Sequence, residues 1–220
     1  MGVRTLIFAA LLPLAGAYSH VCPFIARTSA PRAVVTHARP IVACAPPADV
    51  VAPALETEIG FDHQPLADAL KQGDLLEADR ITRETLIGLA GEQSVMRGFV
   101  YFNEARKLPY KDLATVDKLW RAYTGDKQGY SVQSKIFRTP KVAKDLIKLY
   151  TRIGWSKPSG SLLRWTSSSD GNEFIYNNEE APAGHLPLTS TLRGTRLLIE
   201  LMEHPAIIEA SQTITGNAAK

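Results

Sequence analysis

From Leu75 to Leu89, the residues Leu75, Ala78, Thr82, Leu86 and Leu89 recur at intervals of three and four. That spacing puts them on one face of a helix. The period returns as Leu113, Val116, Leu119, Trp120 and Tyr123 in "YKDLATVDKLWRAYTGD", and as Val142, Leu146, Leu149 and Ile153 in "KVAKDLIKLYTRIGW". A last helix over 192–203 would turn Leu192, Thr195, Ile199 and Met202 inward, with His204-Pro205 ending it. A shorter segment, "QPLADALKQGD", carries Leu66, Ala69 and Leu70 before Gly73, and Asp74 then stands as N-cap of the next helix. Those two segments predict an antiparallel helical hairpin ended by Gly91. Gly125 ends the helix that carries Trp120. Stripes of this kind predict an all-α domain.

Two stretches read less simply. "QSVMRGFVYFNEARKLP" holds Met96 and the run Phe99–Phe102, which suits a short strand, a core helix or a greasy loop lining a groove. "SKPSGSLLRWTSSSDGNEF" is a polar loop around Trp165. Residues 51–62 are Pro/Ala-rich and read as a linker, 63–206 as the helical domain, and 207–220 as a disordered tail.

Charge divides the chain. Residues 1–48 contain Arg4, Arg27, Arg32 and Arg39 and no carboxylate. The remainder holds the other 21 of the 25 Lys and Arg against all 22 Asp and Glu. A body so close to neutral is not that of a general nucleic-acid binder. The arm also holds both cysteines, Cys22 and Cys44, so the body has no disulfide, thiol nucleophile or cysteine metal site. Within the arm, the apolar run Leu6–Leu14 is too short to span a bilayer and is followed by Ala15-Gly16-Ala17. That is the pattern of a cleaved signal peptide, and the acid-free, Ala-, Pro- and hydroxyl-rich stretch behind it has transit-peptide composition. Residues 1–50 therefore read as a bipartite signal-plus-transit presequence of the kind that serves complex plastids.

No nucleophile elbow, phosphate loop, dinucleotide fingerprint or zinc-helix motif occurs. His63, His185 and His204 lack partners at metal spacing, and Glu179-Glu180 reads as a solvated pair rather than an acid/base couple. Neither a catalytic residue nor a metal site of the protein is expected. Trp155, Trp165 and Phe99–Phe102 do fall in or beside loops, with Arg97, Arg164, Arg193 and Arg196 near in sequence. A flat apolar ligand bearing carboxylates suits such a mixture, though aromatics closing a small core would leave the same trace. In "EEAPAGHLPLTSTLRGTRLL", arginines occupy the start of a helix, where acidic residues are the usual choice.

The blocks "LLEADRITRETLIGLAGE", "KDLATVDKLWRAYTGDKQGYSVQSKIF", "IGW" and "FIYNNEEAPAGHLPLTSTLRGTRLL" together resemble the genomes-uncoupled family of tetrapyrrole-binding proteins, porphyrin-binding accessory factors of magnesium chelatase, in its plastid branch. The resemblance spans about 63–206. It implies a helical domain shaped like a cupped hand that binds protoporphyrin and magnesium protoporphyrin and requires no cofactor. It also implies stimulation of magnesium chelatase in chlorophyll biosynthesis through that enzyme's large porphyrin-binding subunit, without catalysis. A role in plastid-to-nucleus (retrograde) signalling and peripheral association with plastid membranes belong to the same expectation, and a monomer is the default. Carried over by position, the groove draws on Val100, Tyr101, Phe102, Leu108, Tyr130 and Trp165, with Arg193 as partner of a porphyrin propionate. The loops closing it would be about 91–99 and 156–172. Asp117, Trp120 and Gln133 read as scaffold. The family's usual Arg-Phe pair before Gly129 is replaced here by Lys127-Gln128. A plastid scaffold with lost porphyrin binding, or an enzyme acting on tetrapyrroles, are the competing readings.

Overall fold

The computed structural model of the chain describes residues 50–166, 171–188 and 195–214. Among the described residues the architecture is all-α, with β-structure confined to one bridge between Ser156 and Leu162. The helices are α1 (Gln64–Lys71), α2 (Leu75–Leu89), α3 (Glu92–Arg97), α4 (Phe102–Ala105), α5 (Tyr110–Thr124), α6 (Tyr130–Phe137), α7 (Leu146–Arg152), α8 (Thr195–Met202) and α9 (Pro205–Thr213). Residues 1–49 of the expected presequence lie outside the described ones.

Local chemistry sets the ends. Asp74 caps α2 by accepting from the Glu77 amide at 3.0 Å, which satisfies one of the donors a helix start leaves open. Gly125, at φ +64°, closes α5 in the left-handed conformation that residues with a Cβ resist. α7 starts later than its stripe suggests. Ala143 and Lys144 have positive φ, and Asp145 caps the new start through the Ile147 and Lys148 amides. Val142 is still buried, but from a turn.

The core lies where the stripes predict. Leu113, Val116, Leu119 and Trp120 of α5 share one buried cluster with Leu66 and Leu70 of α1 and Ala78 and Leu86 of α2. Trp120 is fully buried, and its Nε1 donates to Thr82 Oγ1 at 2.9 Å. At about 25 cal/mol per Å², a buried ring of this size contributes roughly 4–6 kcal/mol before entropy is counted.

Three expectations are corrected. In α8 Met202 is inward as expected, but Leu198 and Leu201 accompany it, with Ile199 only half-buried; Leu192 and the Thr195 side chain lie outside what is described. The disordered tail from 207 does not hold to Thr213. His204 and Pro205 begin α9, which packs on α5 and α6 with Ala206, Ile207 and Ser211 inward. Pro205 sits in the first turn, where its missing N–H costs nothing, so the residue pair taken as a stop is also a start. Part of the 51–62 linker is fastened to the domain: the Thr57 hydroxyl and Glu58 amide donate to Asp112 at 2.6 and 2.8 Å. Phe61 packs so close to Gly88 that a Cβ there would fall 2.7 Å from its ring.

Candidate functional site

The irregular segment 181–188 is anchored by hydrogen bonds along its length. The Gly129 amide donates to Leu186 O at 3.0 Å, and the Gly184 amide to Lys127 O at 2.9 Å. Gln128 donates to Pro182 O and accepts from the Leu186 amide, while Gln133 donates to both Gly184 O and Pro187 O at 3.0 Å. Both glutamines are wholly buried. Lys127 spends its ammonium on the carbonyls of Asn178 and Glu179. The Lys127-Gln128 replacement is thus part of the scaffold that holds this segment. Leu186–Pro187 is a cis peptide. A Cβ on Gly184, at φ +74°, would stand 3.1 Å from Ile136 and 3.3 Å from Ile153, so the close approach requires glycine.

His185 sits at the centre of this knot. Its Nδ1–H donates to Ile153 O at 2.7 Å, and its Nε2 accepts from the Ile175 amide at 3.0 Å. Both ring nitrogens are therefore engaged, which leaves neither to serve as an axial metal ligand. Burial pushes the imidazole below its ordinary range, against the bond to Ile153. With the folded value below the unfolded one of about 6.5, the unfolded chain takes up the proton first. This contribution to stability is complete above about pH 6.5 and is lost as pH falls toward the folded value. His204 is shifted the same way by burial. Asp79 works in the opposite sense over this window, so the test is the difference: between pH 7.5 and 5.5 the denaturant midpoint of His185→Gln should change less in the downward direction than that of wild type. An identical pH slope in the two proteins would contradict this.

Arginines lie over exposed aromatic rings at several points. Arg97 lies 4.6 Å from the Tyr101 ring and 5.6 Å from Phe99, held by its ion pair with Glu104 at 2.6 Å. Arg196 lies 4.9 Å from Phe102 and pairs with Glu200, which also receives Arg106. Tyr101 and Phe102 remain 47% and 42% exposed, and Val95 and Met96 on the neighbouring α3 are more exposed still. An apolar surface rimmed by guanidinium groups results. Arg83 lies 4.4 Å from the Trp165 ring.

The sequence-predicted residues separate into groups. Tyr101 and Phe102 are on the surface just described, and Trp165 is half-buried against Arg83. Val100, Leu108 and Tyr130 are instead core residues, with Tyr130 fully buried and its hydroxyl unpaired. Arg193 lies outside the described residues. Trp155, read as a loop aromatic, belongs to the core: it stacks on Tyr150 at 5.6 Å and donates to His185 O at 2.8 Å. Glu179 and Glu180 are exposed, as a solvated pair should be. Arg83 and Asp79 were missed, because their partners Trp165 and Leu188 are far away in sequence. The only local sign was their i,i+4 spacing, with Asp79 beside the apolar stripe. Among the described residues, no group of three or more His, Cys, Asp or Glu is placed to hold a metal ion.

Comparison with known proteins agrees with this architecture. A family model described as GUN4-like matches residues 56–205. The chain is 38% identical over 157 residues to the "Tetrapyrrole-binding protein, chloroplastic" of Arabidopsis thaliana, covering 70% of this chain and 58% of that protein. It is 38% identical over 151 residues to a "Ycf53-like protein" of Synechocystis sp., covering 69% of this chain and 61% of the relative. The chain thus spans about three-fifths of the length of these relatives. Among solved structures, GUN4 from Chlamydomonas reinhardtii superposes with a TM-score of 0.62 at 40% identity, over 70% of this chain and 95% of that one. Ligand-free Arabidopsis thaliana GUN4 gives a TM-score of 0.58 at 37% identity, over 69% and 98%.

Proposed function

The chain belongs to the GUN4-like family, and on that premise we propose that it binds tetrapyrroles in a plastid, as a carrier rather than an enzyme. The observation that carries this reading is the pair of exposed rings, Tyr101 and Phe102, each under an arginine at 4.6 and 4.9 Å. A porphyrin offers a flat apolar face and two carboxylates. Aromatic walls accept the first, and guanidinium groups suit the second. Its ligands are protoporphyrin and magnesium protoporphyrin, and the protein's part in chlorophyll synthesis is to stimulate magnesium chelatase through the large porphyrin-binding subunit. Plastid-to-nucleus signalling and peripheral membrane association extend the same proposal. Tyr101, Phe102 and Trp165 are the aromatic contacts, and Arg193 holds a propionate. The magnesium of a bound porphyrin takes its axial ligand from elsewhere than His185, both of whose nitrogens are engaged.

The test is titration of the chain with deuteroporphyrin and its magnesium form, followed by tryptophan quenching. Saturable quenching is expected, and Trp165→Ala should weaken both ligands by about tenfold, the scale of one lost aromatic stack. Absence of saturable quenching by the folded protein would overturn the reading and leave a scaffold or signalling module. Binding undiminished in Trp165→Ala would remove that residue from the site.

A further inference from the structure

Asp79 has no exposed surface, yet it lies on α2 amid residues that the stripe assigns to a helix flank. Its Oδ1 accepts from the Leu188 amide at 2.7 Å, which ties α2 to the end of the anchored 181–188 segment. Its Oδ2 faces the Arg83 guanidinium at 3.3 Å without an aligned hydrogen bond. Arg83 in turn lies against the Trp165 ring at 4.4 Å, with its own side chain about one-fifth exposed. Around this group stand the Tyr176 hydroxyl, which accepts from Asn172 at 3.5 Å, and the unpaired Tyr130 hydroxyl. The Trp165 Nε1 is likewise buried beside Tyr176 without a formed bond.

A buried carboxylate is costly unless it is paired and hydrogen-bonded, and the Asp79 pairing is incomplete at Oδ2. Here a single one joins three stretches of chain that are remote in sequence: α2, the residues before the arginine-bearing helix start, and the loop carrying Trp165. We propose that Asp79 is a positioning residue of the tetrapyrrole site, holding Arg83 beneath Trp165 and so fixing the attitude of the indole toward the ligand. This rests on the function proposed above. Asp79 touches no ligand itself and acts through Arg83.

Electrostatics give the device a signature. Burial raises the Asp79 carboxyl to about 6, opposed by Arg83 and by the Leu188 amide. The groups facing it are Arg83 on its own helix, Tyr130 from α6 with Asp117 behind it, and Tyr176 from the loop. Both tyrosines are pushed up by burial and stay neutral near pH 6. Protonation of Asp79 removes the charge that holds Arg83, and the indole loosens.

The experiment uses the full chain and Asp79→Asn, which keeps the shape and an oxygen for the Leu188 amide but removes the charge. Acrylamide quenching of Trp165 is read as the difference between each protein and its Trp165→Phe partner. In the wild type, quenching of Trp165 should rise as pH falls through about 6; in Asp79→Asn it should be high and flat throughout. Deuteroporphyrin at pH 7.5 should bind Asp79→Asn about fivefold more weakly, the worth of one cation–π contact, and Asp79→Asn should add no loss in the Trp165→Phe background. Trp165 quenching equal in wild type and Asp79→Asn at pH 7.5 overturns the proposal, as does a released Trp165 with porphyrin affinity unchanged. A wild type that binds no porphyrin defeats the function proposed above, and the quenching arm then still decides whether Asp79 positions Trp165.

Discussion

Asp112→Ala should destabilise the chain by about 3 kcal/mol, the scale for breaking a buried, multiply bonded charge. For a domain of this size that lowers the melting temperature by about 6–12 °C. Asp112 has no exposed surface and receives three donors: the Thr57 hydroxyl at 2.6 Å, the Glu58 amide at 2.8 Å and His63 Nε2 at 3.0 Å. Burial alone would push its carboxyl up. The bonds from Thr57, the Glu58 amide and His63 outweigh that and hold it below the ordinary range. Its contribution is therefore present above about pH 4 and lost as pH falls through the folded value. Alanine leaves a buried imidazole and a backbone amide without acceptors and removes the bonds of Thr57, Glu58 and His63 to α5, so that the Thr115 hydroxyl on Glu56 O is the main buried tie left. Phe61 then leaves its seat on Gly88, and α1 loses the chain that leads into it. Thermal melts followed by circular dichroism read the loss, and limited proteolysis should find new cleavage between 54 and 63. A variant melting within 2 °C of wild type, with 54–63 still protected, would mean that the strap adds nothing to the fold.

That strap shows what kind of structure the chain does not announce. Helix stripes are local, and α1, α2 and α5 stand where a period of three and four places them, with Asp74 and Gly125 at their ends. Contacts over long sequence separations carry no such mark. Thr57 meets Asp112 across 55 positions and Leu188 meets Asp79 across 109. In "PADVVAPALETEIGFD" the polar residues look like linker residues because their acceptor is on another helix. The site divides the same way. Tyr101 and Phe102 stand in an aromatic run next to Gly98, where the resemblance placed groove residues by position, and both are exposed. Trp155 and Trp165 both follow a loop-like pattern, yet one is stacked in the core and the other half-buried against an arginine. Only the partner distinguishes them, Tyr150 for the first and Arg83 for the second, and neither partner is marked in the local pattern. Tyr130 opens a helix next to Gly129, an exposed place by pattern, but that helix start is drawn inside by Asp117, which accepts from the Ser131 amide at 2.8 Å.

Gln133→Ala should cost about as much as loss of Asp112 and should act directly on the site. The Gln133 amide is the only side-chain donor recorded among the described residues for Gly184 O and Pro187 O, both at 3.0 Å. Removing it leaves two buried carbonyls unpaired at about 1–3 kcal/mol each, with a cavity beside the Gly184 backbone besides. We expect a loss of about 3–4 kcal/mol, read as a fall of about 10 °C in melting temperature. The effect should also reach the proposed tetrapyrrole site, because the freed segment ends on Leu188, the residue that Asp79 holds. Gln133→Glu sharpens the test. It has almost the same shape but turns two acceptors toward an ionised, buried group, so it should be worse than alanine at pH 7.5. It should recover in part as pH falls and the carboxyl protonates, since the neutral acid can donate to one of the two carbonyls. If Gln133→Glu melts above Gln133→Ala at pH 7.5, donation to Gly184 and Pro187 is not what the amide contributes, and its value lies in filled volume alone.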